Sequence, residues 1–151
     1  MIVRSASSHE RSKVHTKNVG NAALYRCDLM HELSIAYSLV EVAGQRSQEA
    51  GATKVLSVTL RLGALSGVVR GALEFGYEVA TADTLLAGST LMVKELPVRV
   101  YCVECAQVVE LLSVQRFRCP VCDTPSGDIR QGRELELESI EIDIPDKSEA
   151  R

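Results

Sequence analysis

The chain of 151 residues contains no tryptophan, and aromatic residues make up only 4% of it. Any hydrophobic core is therefore aliphatic. No apolar run approaches the roughly 20 residues of a membrane-spanning helix, so no membrane association is expected. The first 29 residues lack the apolar segment of a secretory signal, which argues against disulfide-supported folding. Basic residues are outnumbered, 17 against 20 acids. Residues 1–29 hold five Lys/Arg and two Asp/Glu, a balance of +3, so with −3 overall the remainder carries −6. An acidic body argues against nucleic-acid binding, which needs a cationic face to displace counterions. With 46% hydrophobic and 25% charged residues, the composition is that of a soluble globular protein. The length suits one ordinary domain, or a small domain carrying a metal-held appendage.

Of five cysteines, four fall in two tight pairs, Cys102-Val103-Glu104-Cys105 and Cys119-Pro120-Val121-Cys122, with 106–118 between them. Two such turns can present four thiolates to one tetrahedral ion, and zinc, redox-inert and accepting soft sulfur ligands, suits the role. Two disulfides, an iron–sulfur cluster or two redox pairs would use the same residues. Disulfides conflict with the absent signal, and a thioredoxin-like pair is normally single and placed after a strand of a βαβ unit. Zn(II) is therefore expected on Cys102, Cys105, Cys119 and Cys122, in a structural role, because four protein ligands leave no open position. Cys27 stands alone, and the pattern fits a reducing compartment, most simply the cytoplasm.

Residues 1–29 are rich in Ser, Lys and Arg without sustained periodicity, and read as a disordered leader or as sequence placed before the authentic start at Met30. From Glu32 to about Ala50 the pattern is helical. Leu33, Ala36, Tyr37, Val40 and Ala43 define one face, Ile35, Leu39 and Val42 widen it, and Gly51 stands at the C′ position. A strand follows, with Leu56, Val58, Leu60 and Leu62 alternating with Ser57, Thr59 and Arg61 so that one face is buried and the other wet. The spacing predicts a second helix over 69–82, in which Gly76 permits close packing. A strand is predicted over 90–96, ended by Pro97. Short hairpins such as Gln107–Leu112 lie between the cysteine pairs. A last strand begins near Arg133, and the change of parity near Ser139 implies a bulge or a change of face.

The order predicts an α+β fold: two helices packed on a small three-stranded sheet, with a four-cysteine zinc-ribbon domain inserted before the last strand. The expected division is 1–29 as leader, 30–97 with 132–145 as the α+β domain, 98–131 as the zinc domain, and 146–151 as a disordered tail.

Met30-His31-Glu32 is the other candidate for chemistry. If Met30 is the first residue, its amine, with a pKa near 8, can join the next amide and the His31 imidazole around a divalent metal. A near-planar nitrogen set suits Ni(II) or Cu(II). From these residues alone, a histidine at a helix start is more often a surface or capping residue, and Glu32 a complement to the helix dipole.

The run Met30-His31-Glu32-Leu33-Ser34-Ile35-Ala36 is similar to the amino terminus of the HypA/HybF family, the nickel chaperones of [NiFe]-hydrogenase maturation. The likeness continues through Val58–Leu62, Leu65-Ser66-Gly67-Val68, Ala72-Leu73-Glu74-Phe75, the four cysteines and Gln131-Gly132-Arg133-Glu134-Leu135, covering about 30–144. The resemblance implies a non-enzymatic metallochaperone carrying Ni(II) on His31, the Met30 amine and neighbouring amides, with Glu32 contributing its amide or supporting the ligands. It also implies a structural zinc on the four cysteines. The implied partners are a HypB-type GTPase and the precursor of the [NiFe]-hydrogenase large subunit, with a homodimer as one assembly. Two departures stand out. Residues 1–29 have no counterpart and, if retained, would convert the Met30 amine into an amide. Gly63-Ala64 stands where many relatives place an acid after the glycine.

Two other classes are weighed. A zinc-ribbon adaptor or nucleic-acid binder is opposed by the acidic body. An enzyme using His31 and Glu32 as an acid–base pair lacks a nucleophile, a phosphate-binding loop or an open zinc motif beside them. His9, His15 and Cys27 have a spacing that fits no regular element.

Overall fold

A computed structural model describes residues 32–145, together with the backbone of 2–5 and 13–14. The elements in chain order are β1 (Ile2–Ser5), β2 (Lys13–Val14), α1 (Glu32–Glu49), β3 (Lys54–Gly63), α2 (Arg70–Thr81), β4 (Thr90–Leu96), β5 (Arg99–Cys102), β6 (Gln107–Glu110), β7 (Ile129–Gln131) and β8 (Leu135–Asp143). Two helices, a sheet containing β8, β3 and β4, and a second small sheet bearing the cysteines make up the expected α+β arrangement. The larger sheet has the order β2-β1-β8-β3-β4, so the three expected strands are continued past β8. There β1 runs parallel to β8, with Ile2 opposite Ser139, and β2 pairs antiparallel with β1. The rest of the leader and the 146–151 tail lie outside the described residues.

The central strand β3 is antiparallel to β8, Thr53 N–H donating to Asp143 O at one end and Gly63 N–H to Glu134 O at the other. Beyond β3, Ala64 N–H donates to Leu96 O, at the end of β4. The ends of β3 and β4 therefore lie together, and α2 is the crossover between parallel neighbours. Because β3 is central, Thr59 on its supposedly wet face is buried, and the strict alternation read from the sequence does not hold.

Two compact units are distinguishable. One comprises, among the described residues, 32–60, Val69–Val93 and 136–145; the other Arg61–Val68 and Lys94–Leu135. In the first, α1 and α2 supply Ile35, Leu39, Leu73 and Tyr77 to a core completed by Val55, Val58, Ile140 and Ile142. Among the described residues this aliphatic core holds one buried aromatic ring, Tyr77, whose hydroxyl reaches Ser89 Oγ at 2.6 Å. The helices meet where Gly76 leaves room: a Cβ there would lie 3.2 Å from Ala36 Cβ and 3.3 Å from Leu33 Cα. Of the expected face of α1, Ala36, Val40 and Ala43 are buried together with Ile35 and Leu39, whereas Leu33 and Tyr37 reach solvent, because they lie on the side of the Ala36–Gly76 contact away from the core.

In the second unit β5 is central, with β6 and β7 antiparallel on either side. Its small core is Val98, Val100, Cys102, Val109, Leu111 and Cys119. Gly63 is required here, since a Cβ on it would come within 2.2 Å of Gly132 O. The unit therefore gathers the end of β3 around the insertion.

Candidate metal centre

Each cysteine pair sits on a turn ended by a residue in the left-handed region, Ala106 (φ 51°) after the first and Asp123 (φ 58°) after the second. Such a residue turns the chain back beneath the two sulfurs. In the second turn Asp123 N–H donates to Cys119 O at 2.9 Å and Val121 N–H to Cys119 Sγ at 3.4 Å. Arg118 Nη1 donates to Asp123 O at 2.8 Å and lies 3.3 Å from its carboxylate, fixing the loop. In the first turn β5 and β6 form the hairpin, with Cys102 opposite Gln107.

The four sulfurs converge. Cys102 Sγ lies 3.5 Å from Cys122 Sγ, Cys105 Sγ lies 3.9 Å from Cys119 Sγ, and all four are within 4.8 Å of one another. A tetrahedral ion with metal–sulfur bonds of about 2.3 Å requires sulfurs about 3.8 Å apart, so the donor set fits such an ion. Disulfides do not describe it, since bonded sulfurs stand about 2.05 Å apart and all four cysteines are free. Among the described residues no other group of His, Cys, Asp or Glu side chains converges in this way.

The electrostatics agree with a cation site. The Thr124 hydroxyl and backbone, with its Oγ1 3.2 Å from Cys122 Sγ, lower the Cys122 thiol to about 6. The hydrogen bond to Cys122, then burial, push Cys105 up to about 12. One thiolate is thus held ready while its neighbour stays protonated, because several thiolates this close repel until a cation joins them. Thr124, Val121 N–H and the Arg118–Asp123 clamp were not singled out by sequence reasoning. Only Asp123 carried a signal, since Asp tolerates the left-handed region better than most residues.

Of the other expected site residues, Met30 and His31 lie outside the described residues. Glu32 opens α1, and its carboxylate accepts a hydrogen bond from Val69 N–H at 3.3 Å. Val69 precedes α2 and offers no cap of its own. Glu32 therefore stands in the first turn of α1, as the sequence placed it, and also serves the positive end of α2. Ala64, where relatives were expected to carry an acid, is exposed.

The family described as "Hydrogenase/urease nickel incorporation, metallochaperone, hypA" matches residues 30–142. The chain belongs to the HypA family. It is 51% identical over 114 residues to the hydrogenase maturation factor HypA of Roseiflexus sp. (strain RS-1), covering 76% of this chain and 93% of that protein. It is 36% identical over 114 residues to the hydrogenase maturation factor HybF of Salmonella typhimurium (strain LT2), covering 76% of this chain and all of that one. The fold is also that of the solution structure of the Ni metallochaperone HypA from Helicobacter pylori, with TM-score 0.55, 23% identity, and coverage of 77% of this chain and all of that one. The HypA match begins at Met30. HypA proteins are metallochaperones, a non-catalytic class, which disposes of the enzyme reading. No described helix is long and apolar enough to cross a membrane.

Proposed function

We propose that this chain binds Ni(II) through the Met30 amine, the His31 imidazole and the intervening amides, and delivers it for [NiFe]-hydrogenase maturation. A structural Zn(II) would sit on Cys102, Cys105, Cys119 and Cys122. The observation that carries the nickel reading is the family match starting at Met30-His31. The convergent sulfurs support the zinc reading. The division of labour follows from the ligands. Four thiolates close a coordination shell and hold the ion tightly, whereas an amine and an imidazole at a chain start form an exchangeable site. Both nitrogens lose metal as pH falls, which supplies a route of release. Glu32, engaged at Val69 N–H, supports the ligand-bearing turn or lends its amide.

The domains we assign are a nickel domain of 30–97 with 132–145 and a zinc domain of 98–131, between a leader and a tail outside both. A HypB-type GTPase and the hydrogenase large-subunit precursor are the proposed partners, with a homodimer as the proposed self-assembly. Cysteines gathered for a metal rather than for disulfides support a reducing compartment, the cytoplasm.

The test is a pair of variants of the chain beginning at Met30. His31→Ala should abolish Ni(II) uptake and leave zinc content unchanged, while Cys102→Ala should shed zinc, as read by metal analysis after gel filtration. Normal nickel uptake by His31→Ala would refute the nickel assignment. Full zinc retention by Cys102→Ala would refute the tetrathiolate.

A further inference from the structure

The two helices leave an apolar strip uncovered. Leu33 and Tyr37, one turn apart on α1, and Phe75 and Val79, one turn apart on α2, keep 44%, 51%, 69% and 43% of their surface exposed. Their placement follows from helix geometry. The helices touch at Ala36 and Gly76. At 100° per residue, Leu33 and Tyr37 lie to one side of Ala36, opposite the core-facing Ile35 and Leu39. Phe75 and Val79 lie to one side of Gly76, opposite the core-facing Leu73 and Tyr77. Both pairs therefore turn to solvent and flank the same seam, which the small residues close from below. Soluble monomers rarely expose contiguous apolar surface of this kind without using it.

Charge says what the occupant is. This unit holds ten bases against fourteen acids, a balance of −4, and its described residues only three bases, Arg46, Lys54 and Arg70, against ten acids. The described residues of the other unit balance seven bases against six acids. On the helices, Glu41 stands one turn beyond Tyr37 and Glu78 beside Val79, both exposed. The two arginines here are already paired, Arg46 with Glu49 and Arg70 with Glu74. Acids thus border the strip, as a basic helix laid along the seam requires.

We propose that the α1–α2 seam is a docking groove for a cationic amphipathic helix of a partner protein. Apolar side chains of that helix seat between Leu33/Tyr37 and Phe75/Val79, and its basic flank meets Glu41 and Glu78. The acidic unit also accelerates encounter with a basic partner, most strongly at low salt.

The probe is a synthetic peptide with leucines at helical spacing, lysines on the other face and one tryptophan. Because the protein has no tryptophan, peptide fluorescence reports binding directly. The whole chain should bind it one-to-one and more weakly as salt rises. A scrambled peptide of equal composition and a glutamate-faced peptide should each bind at least about tenfold more weakly. Phe75→Ala/Val79→Ala should lose at least about tenfold in affinity. Leu33→Ala/Tyr37→Ala is an independent second pair, in case the first alters folding by circular dichroism. Unchanged binding by both pairs would overturn the groove, since charge alone would then hold the peptide. Equal binding of the glutamate-faced peptide would overturn the cationic assignment. A solution dimer converted to monomer by Phe75→Ala/Val79→Ala would assign the strip to a second copy and overturn the proposal.

Discussion

Single residues carry much of the metal centre. The cysteines were legible in the sequence because two CxxC pairs at that separation suit a closed set of four ligands to one ion. Their supports were not. Ala106 has no signal for the left-handed conformation it adopts at φ 51°, which costs a residue with a Cβ roughly 1–2 kcal/mol. Relief of that strain outweighs the extra freedom glycine gains in the unfolded chain. Ala106→Gly should therefore stabilise the cysteine-bearing unit by about 1 kcal/mol, read as a higher midpoint in denaturant. A lower midpoint would mean that Ala106 is unstrained. The partner of Glu32 was equally hidden, because Val69 is 37 residues away and no local pattern links a carboxylate to a distant helix start. His31 lies outside the described residues, and its proposed role as a nickel ligand rests on the family likeness.

Elements were legible in proportion to their length and punctuation. α1, α2 and β4 were readable because periodicity extends over several turns or is ended by Gly51 or Pro97. The orientation of α1 was not, because hydrophobicity cannot tell a core-facing leucine from one beside a glycine contact such as Gly76. β5 and β7, four and three residues long, are too short for alternation to register and exist through the pairing that gathers the sulfurs. The turns joining them set a pH response. In the folded chain Cys122 is lowered from the ordinary thiol value of 9.0 to about 6 and Cys105 raised from it to about 12. A lowered pKa contributes stability that is complete above 9.0 and lost as pH falls towards 6, whereas a raised one contributes stability complete below 9.0 and lost as pH rises towards 12. The metal-free cysteine unit should therefore be most stable near pH 9, measured by denaturant midpoints in chelator and reductant. With the ion bound the alkaline decline should vanish, since the metal holds the sulfurs deprotonated. A metal-free profile flat from pH 6 to 11 would contradict this electrostatic picture.

Across the whole molecule, two compact units have different means of support, as the two proposed metals would have different fates. The helical unit rests on an aliphatic core drawn from both helices and the sheet, so it holds its fold without an ion. The cysteine unit buries few side chains besides its own ligands, and a core that small relies on the metal. The overall α+β plan was readable because helix and strand patterns succeed one another plainly. The extension of the sheet by β1 was not, since Ile2–Ser5 lies in a stretch without periodicity. The account rests on nickel needing an unblocked amine at Met30 while zinc does not. Intact-mass measurement under non-denaturing conditions, after incubation with Ni(II), tests it most directly on two proteins, the chain from Met1 and the chain from Met30. Both should carry one zinc, and only the chain from Met30 should add one nickel. Equal nickel loading of the chain from Met1 would contradict the amine-anchored site.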